Sequence, residues 1–248
     1  MTRLRIIPVS SAAASALVAT ALAATPATAG SATAPAAISV DWETRSLRYT
    51  AGEGQANDLY ATWMGEGTGI RRIGFKDVVP IRIGDHCAYL DPADDTFVVC
   101  ELPTGGSLPD DIRVSLGDGD DGFFTNDPGV SAVHGGPGHD DLHAHTAHLV
   151  TGGDGDDMLM GGVVMEGGAG MDHLVGEGTD ETFFGGPGDD MIEGYGGADT
   201  VLGSSGDDEI TGGDGDDALF GGLGDDTLSG DGGRDLILGG PGRDRITP

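Results

Sequence analysis

The residues best placed to do chemistry are aspartates that recur at a fixed interval. Asp172, Asp190, Asp199, Asp208, Asp217, Asp226, Asp235 and Asp244 all fall on one nine-residue period, and Glu181 completes the series. Carboxylates in such numbers need a counter-charge, and the chain supplies little of it. Residues 116–248 hold 29 acidic residues against 3 arginines, and between Leu116 and Gly233 there is no Lys or Arg at all. Residues 1–115 are closer to balance, with 13 acidic and 9 basic residues. A surface as negative as that of the second half binds nucleic acid poorly and repels itself. The 47 glycines of the chain also raise the entropy cost of order, so this half is expected to stay disordered until a cation neutralises it. Oxygen donors at a fixed spacing are what a hard divalent cation requires.

The elements that must position those carboxylates are legible in the same period. From Gly167 to Thr247 the sequence divides into nine contiguous nine-residue units, most of them close to G-G-x-G-x-D-x-U-x with U apolar. Gly185-Gly186-Pro187-Gly188-Asp189-Asp190-Met191-Ile192-Glu193 is representative. Six residues read as a turn whose glycines allow carbonyls to aim inward. Three read as a short strand whose eighth-position residue points into a core: Leu174, Phe183, Ile192, Val201, Ile210, Leu219, Leu228, Ile237 and Ile246. A disordered acidic linker would have neither the spacing nor the apolar column. Further back, good units begin at Leu116, Gly135 and Gly152, with Asp121, Asp140 and Asp157 in the sixth position. They alternate with weak units at 126–134, 144–151 and 161–166, as two sides of a coil would. One column of turns then runs through Leu116, Gly135, Gly152, Gly167, Gly185, Gly203, Gly221 and Gly239. The opposite column is convincing only from Gly194 onward, because the turn at Gly176 has Thr179 for Gly and Glu181 for Asp. Asp127 lies in a weak unit, and its replacement is expected to weaken calcium-driven folding less than replacement of Asp208.

These units resemble the hemolysin-type, or RTX, calcium-binding repeat, over about half of the chain. The resemblance implies an all-β fold: a right-handed parallel β-roll, or β-solenoid, in which two units make one coil. It also implies calcium between turns stacked one coil apart. The ion would be held by the sixth-position aspartates and by backbone carbonyls of turn residues such as Gly185, Gly186, Gly188, Gly221, Gly222 and Gly224. The long column offers seven gaps and the opposite one two, or three with Glu181, so roughly nine or ten calcium ions are expected at one per gap.

The ends and the front half frame this roll. Residues 1–29 read as a secretory signal peptide: Arg3 and Arg5, an apolar run from Ile6 to Ala24, then Ala27-Thr28-Ala29 as a cleavage pattern. Residues 30–38 read as a small-residue linker, and residues 39–115 as a β segment that caps the roll at 116–248. Its β-prone runs are Leu47–Thr50, Leu59–Trp63, Ile70–Phe75, Val78–Ile83, Phe97–Leu102 and Ile112–Leu116. Cys87 and Cys100 are expected to form a disulfide in an exported chain. No H-E-x-x-H or G-x-S-x-G motif occurs. His139, His143, His145 and His148 could hold a transition metal, but their spacing is not diagnostic, and polar residues of a weak turn are the preferred reading. The expected function is a secreted, extracellular, non-enzymatic calcium-binding module, the alternative being a calcium-stabilised hydrolase with its active site in the front segment. No membrane span or nucleic-acid partner is expected. Phe184, Leu202, Phe220 and Leu238 occupy the ninth position at an 18-residue interval, an outward apolar ladder suited to self-association or to a protein partner.

Overall fold

The computed structural model describes residues 35–41, 43–44, 46–67, 70–103 and 111–248, and every regular element among them is a strand. The signal-peptide reading and residues 30–34 lie outside the described residues. The nonapeptide half forms a parallel β-solenoid whose coils alternate between two sheets. The sheets have 11 and 12 strands, and odd and even units fall on opposite sides. The period explains this: a strand in one unit meets its hydrogen-bonding partner two units later, as in Thr200–Ser205 beside Thr182–Pro187 and Ala218–Leu223. The eighth-position side chains fill the space between the sheets. Leu142, Leu159, Leu174, Phe183, Ile192, Val201, Leu219 and Leu228 are completely buried, whereas Ile246 of the final described coil is 45% exposed.

Nine strands build the front of the molecule and the start of the roll. They are β1 (Ala36–Asp41), β2 (Ser46–Thr50), β3 (Asp58–Gly67), β4 (Ile70–Lys76), β5 (Ile81–Ile83), β6 (Cys87–Asp91), β7 (Asp94–Pro103), β8 (Asp111–Ser115) and β9 (Gly122–Thr125). The sequence pattern misses β1 and β6. β1 lies partly within the stretch read as a linker, and Ala36 and Ile38 are buried, because alternate small residues there face the core. The β4, β7 and β6 strands extend one sheet in antiparallel fashion, and the Cys87–Cys100 disulfide joins β6 to β7 at directly paired positions.

The parallel stacking does not begin at Leu116. β2 pairs in parallel with β8, and β3 with β9, so residues 46–67 make a coil of their own beneath the first aspartate-bearing turn. Leu59 lies under Phe123 in register, and Leu47 under Ile112. One apolar core therefore runs from Ala36 to Leu228. Asp127 has a structural contact of its own. It is fully buried and paired with the buried guanidinium of Arg71 on β4, and it accepts a 2.8 Å hydrogen bond from the Gly129 N–H. It ties the front segment to the roll.

Candidate metal centre

The sixth-position carboxylates stack into two ladders. In the long one, each Oδ1 accepts a hydrogen bond from the backbone N–H of the sixth residue one coil earlier. The series links Asp121, Asp140, Asp157, Asp172, Asp190, Asp208, Asp226 and Asp244 through seven bonds of 2.8–3.2 Å. The short ladder links Glu181, Asp199, Asp217 and Asp235 through three bonds of 2.8–3.1 Å. Glu181 keeps its place despite its longer side chain.

The second carboxylate oxygen is the informative one. Oδ2 of Asp121, Asp140, Asp157, Asp172, Asp190, Asp199, Asp208, Asp217 and Asp226, and Oε2 of Glu181, are buried without a hydrogen-bond partner. The turn at Gly185 shows what surrounds such an atom. A Cβ placed on Gly185 would collide with Asp190 Oδ2 and lie 2.9 Å from the carbonyl oxygen of Gly203 in the next coil. Gly186 and Gly188 adopt φ of 123° and 148°, and a side chain on either would strike the Gly168 or Gly170 carbonyl of the coil before. Gly221, Gly222 and Gly224 repeat the arrangement two coils on. At Gly135, Gly152, Gly167, Gly176, Gly185, Gly194, Gly203 and Gly221 the orphan oxygen and a glycine carbonyl of the next coil both crowd the first-position glycine, where a side chain would collide.

A buried, unpaired carboxylate is costly and responds by holding its proton. Burial pushes Asp121, Asp140, Asp172, Asp199 and Asp208 up to about 7, and neighbouring carboxylates add to the effect. Asp157, Asp190, Asp217 and Asp226 are raised for the same first cause. The remedies are a proton or a cation. Among the described residues no three His, Cys, Asp or Glu side chains gather as a metal group. The donors on offer are one carboxylate per turn plus backbone carbonyls. That all-oxygen set fits a hard ion of flexible coordination and not zinc or copper.

The His143 and His145 rings lie 6.3 Å apart, but among the described residues the histidines join no group of three metal-ligating side chains. His139 Nδ1 accepts a 2.9 Å bond from the Asp156 N–H in the next turn, His143 pairs with Asp141 and His145 with Glu177. A second set of carboxylates escaped the sequence reading. Asp120, Asp156, Asp180, Asp189, Asp207, Asp216 and Asp225, in the fifth position, use Oδ1 to accept the fifth-position N–H of the following coil. In the last turns Arg234 and Arg243 reach back to Asp216 and Asp225 at 3.0 Å. The recurrent Asp-Asp doublet was the available signal.

Fold and site together define a solenoid of acidic, glycine-turned coils with buried carboxylates stacked in two ladders. Residues 149–163, 164–192, 175–210, 193–228 and 211–246 match the family model described as RTX calcium-binding nonapeptide repeat (4 copies). The chain carries RTX calcium-binding repeats, and its solenoid is the β-roll that such repeats form. No curated protein and no solved structure matches it.

Proposed function

We propose that this protein is a secreted, non-enzymatic, extracellular module whose coils order when calcium enters the gaps between stacked turns. The observation that carries the reading is the run of buried, partnerless carboxylate oxygens beside glycine carbonyls. The ligands are Asp121, Asp140, Asp157, Asp172, Asp190, Asp199, Asp208, Asp217, Asp226, Asp235 and Asp244. Glu181 and turn carbonyls such as those of Gly185, Gly188, Gly222 and Gly224 complete the set. Bound calcium supplies positive charge and cross-links successive turns. The chain's own part is to hold each Oδ1 on a backbone N–H so that Oδ2 is turned toward the gap. At one ion per ladder link, ten ions fill the two columns.

Secretion is supported by the N-terminal pattern and the disulfide, and residues 39–115 serve as the cap of the array. Two open surface clefts are lined by Glu193, Tyr195, Thr211, Gly213, Asp214 and Asp231, and by Thr62, Trp63, Arg71, Asn126 and Pro128. Phe184, Leu202, Phe220 and Leu238 stand in direct register on one sheet, with Phe184 37% and Leu238 53% exposed. The adjacent outward positions, Thr182, Thr200, Ala218 and Leu236, are also uncharged. This apolar stretch, bounded by the exposed Glu166 in register with Phe184, is the face offered to a second copy of the chain.

Circular dichroism in a chelator and in millimolar calcium tests the central claim. Affinities on the order of 10⁻⁴ to 10⁻³ M per ion are expected, as in other extracellular modules. β content should rise steeply with calcium. Full β content in the chelated protein would overturn the proposal.

A further inference from the structure

The coil beneath the first aspartate-bearing turn has the same geometry but different chemistry. Its turn, residues 51–57, is one residue longer than the turn 116–121 stacked on it. The Ala51 N–H donates to the Ser115 carbonyl at 2.9 Å, and a Cβ on Gly119 would lie 2.8 Å from the Gln55 carbonyl. The Asn57 N–H donates to Asp121 Oδ1 at 2.6 Å, just as the Asp121 N–H donates to Asp140 Oδ1. Asn57 therefore occupies the head of the long ladder, at the position every later coil fills with aspartate.

The amide changes what the gap needs. Asn57 Nδ2 lies 3.0 Å from Asp121 Oδ1, 3.1 Å from the Leu116 carbonyl and 3.1 Å from the Gln55 carbonyl. Its two N–H groups thus point into a pocket of three oxygens. Leu116 holds the first turn position, as Gly203 does opposite Asp190, so this pocket corresponds to the one around each orphan Oδ2 higher in the column. Behind it, the Tyr49 hydroxyl donates its one proton to Asp77, with Asn57 Oδ1 sharing it at 3.3 Å. Asp77 Oδ1 takes the N–H groups of Asp58 and Val78 at 3.1 and 2.7 Å, and Gln55 Oε1 takes that of Gly52 at 2.9 Å. Among the described residues, the first orphan carboxylate oxygen in chain order is Asp121 Oδ2. Below it, Asn57, Tyr49, Asp77 and Gln55 are bonded to one another or to the backbone.

We infer that Asn57 closes the metal column, so that the front coil and its cap fold without calcium and present Asp121 as the template on which calcium-dependent coils add. The inference rests on the calcium reading above. A carboxylate at position 57 would leave an unpaired oxygen in the gap and demand an ion. The amide donates where an ion would sit, and the core beneath it is pinned by the disulfide and by the Arg71–Asp127 pair.

Hydrogen–deuterium exchange of the full chain, in chelator and in millimolar calcium, tests this. Peptides from 46–67 and 70–103 should be protected in both conditions, by about tenfold or more in rate over the roll peptides in chelator. Peptides from 135–247 should gain protection only with calcium. In the Asn57→Asp variant at neutral pH, front-coil protection should fall in chelator and return with calcium, and equilibrium dialysis should count one further ion. Front peptides that exchange freely in chelator while the roll still responds to calcium would overturn the inference alone. An Asn57→Asp protein with unchanged protection and ion count would do the same. A roll indifferent to calcium would overturn the underlying reading and the inference with it.

Discussion

The coil formed by residues 46–67 and the coils above it share one register, one inward apolar column and one ladder of backbone donors, yet they close their polar groups by opposite means. The front coil uses an amide, a tyrosine and an aspartate bonded to one another, over a core of Ile73, Phe75, Val98 and Leu102 anchored by the disulfide. The roll has a core about one side chain wide per strand and leaves a carboxylate oxygen open at nearly every turn. The contrast separates geometry from stability. Parallel stacking sets where the turns lie, and the residue at the sixth position sets whether a turn is self-sufficient or conditional on an ion.

Substitutions at two aspartates should divide the regions most sharply. Asp127→Ala removes the buried carboxylate paired with Arg71 and should cost about 1–3 kcal/mol at every calcium concentration, since neither group belongs to a ladder. Asp208→Ala removes a ligand from two adjacent gaps and should leave the chelated protein unchanged while raising the calcium midpoint of β formation and lowering the ion count by two. Thermal melts and calcium titrations of both variants decide. An Asp127→Ala defect that saturating calcium repairs would erase the distinction.

Acid should have a smaller effect of predictable sign. The metal-free fold raises Asp140, Asp172 and Asp208 to about 7, against an ordinary value of 3.8. A raised folded-state pKa favours the fold below the ordinary value and loses that advantage as pH climbs toward 7. Without metal, the roll should therefore hold more β structure near pH 5 than at pH 7.5. With calcium the order reverses, because protons compete for the same oxygens, and the calcium midpoint should fall as pH rises through 7. Metal-free circular dichroism that strengthens from pH 5 to 7.5 would contradict the ladder's electrostatics.

The smallest effect concerns the outer face. Phe184→Ser with Phe220→Ser should leave calcium binding intact and shift sedimentation of the calcium-loaded protein toward monomer. Identical sedimentation would reduce the ladder to aromatic–aliphatic packing between neighbouring coils, worth roughly 0.2–1 kcal/mol per pair.

By itself the sequence determined the roll from Leu116 onward: its period, the apolar column, the two rows of turns and the aspartates at their sixth positions. It could do so because the repeat equals the structural step. Residues 18 apart, such as Asp190 and Asp208, become neighbours through translation along the axis, and local spacing then encodes a three-dimensional contact. Only the tertiary structure decided the remainder. Asn57 meets Asp121 across 64 residues, and Arg71 meets Asp127 across 56, through antiparallel pairings and turns of unequal length that no period carries. For the same reason the stretch 51–57, between the β-prone runs Leu47–Thr50 and Leu59–Trp63, carries no repeat signal, although it is the turn on which the column of aspartates rests.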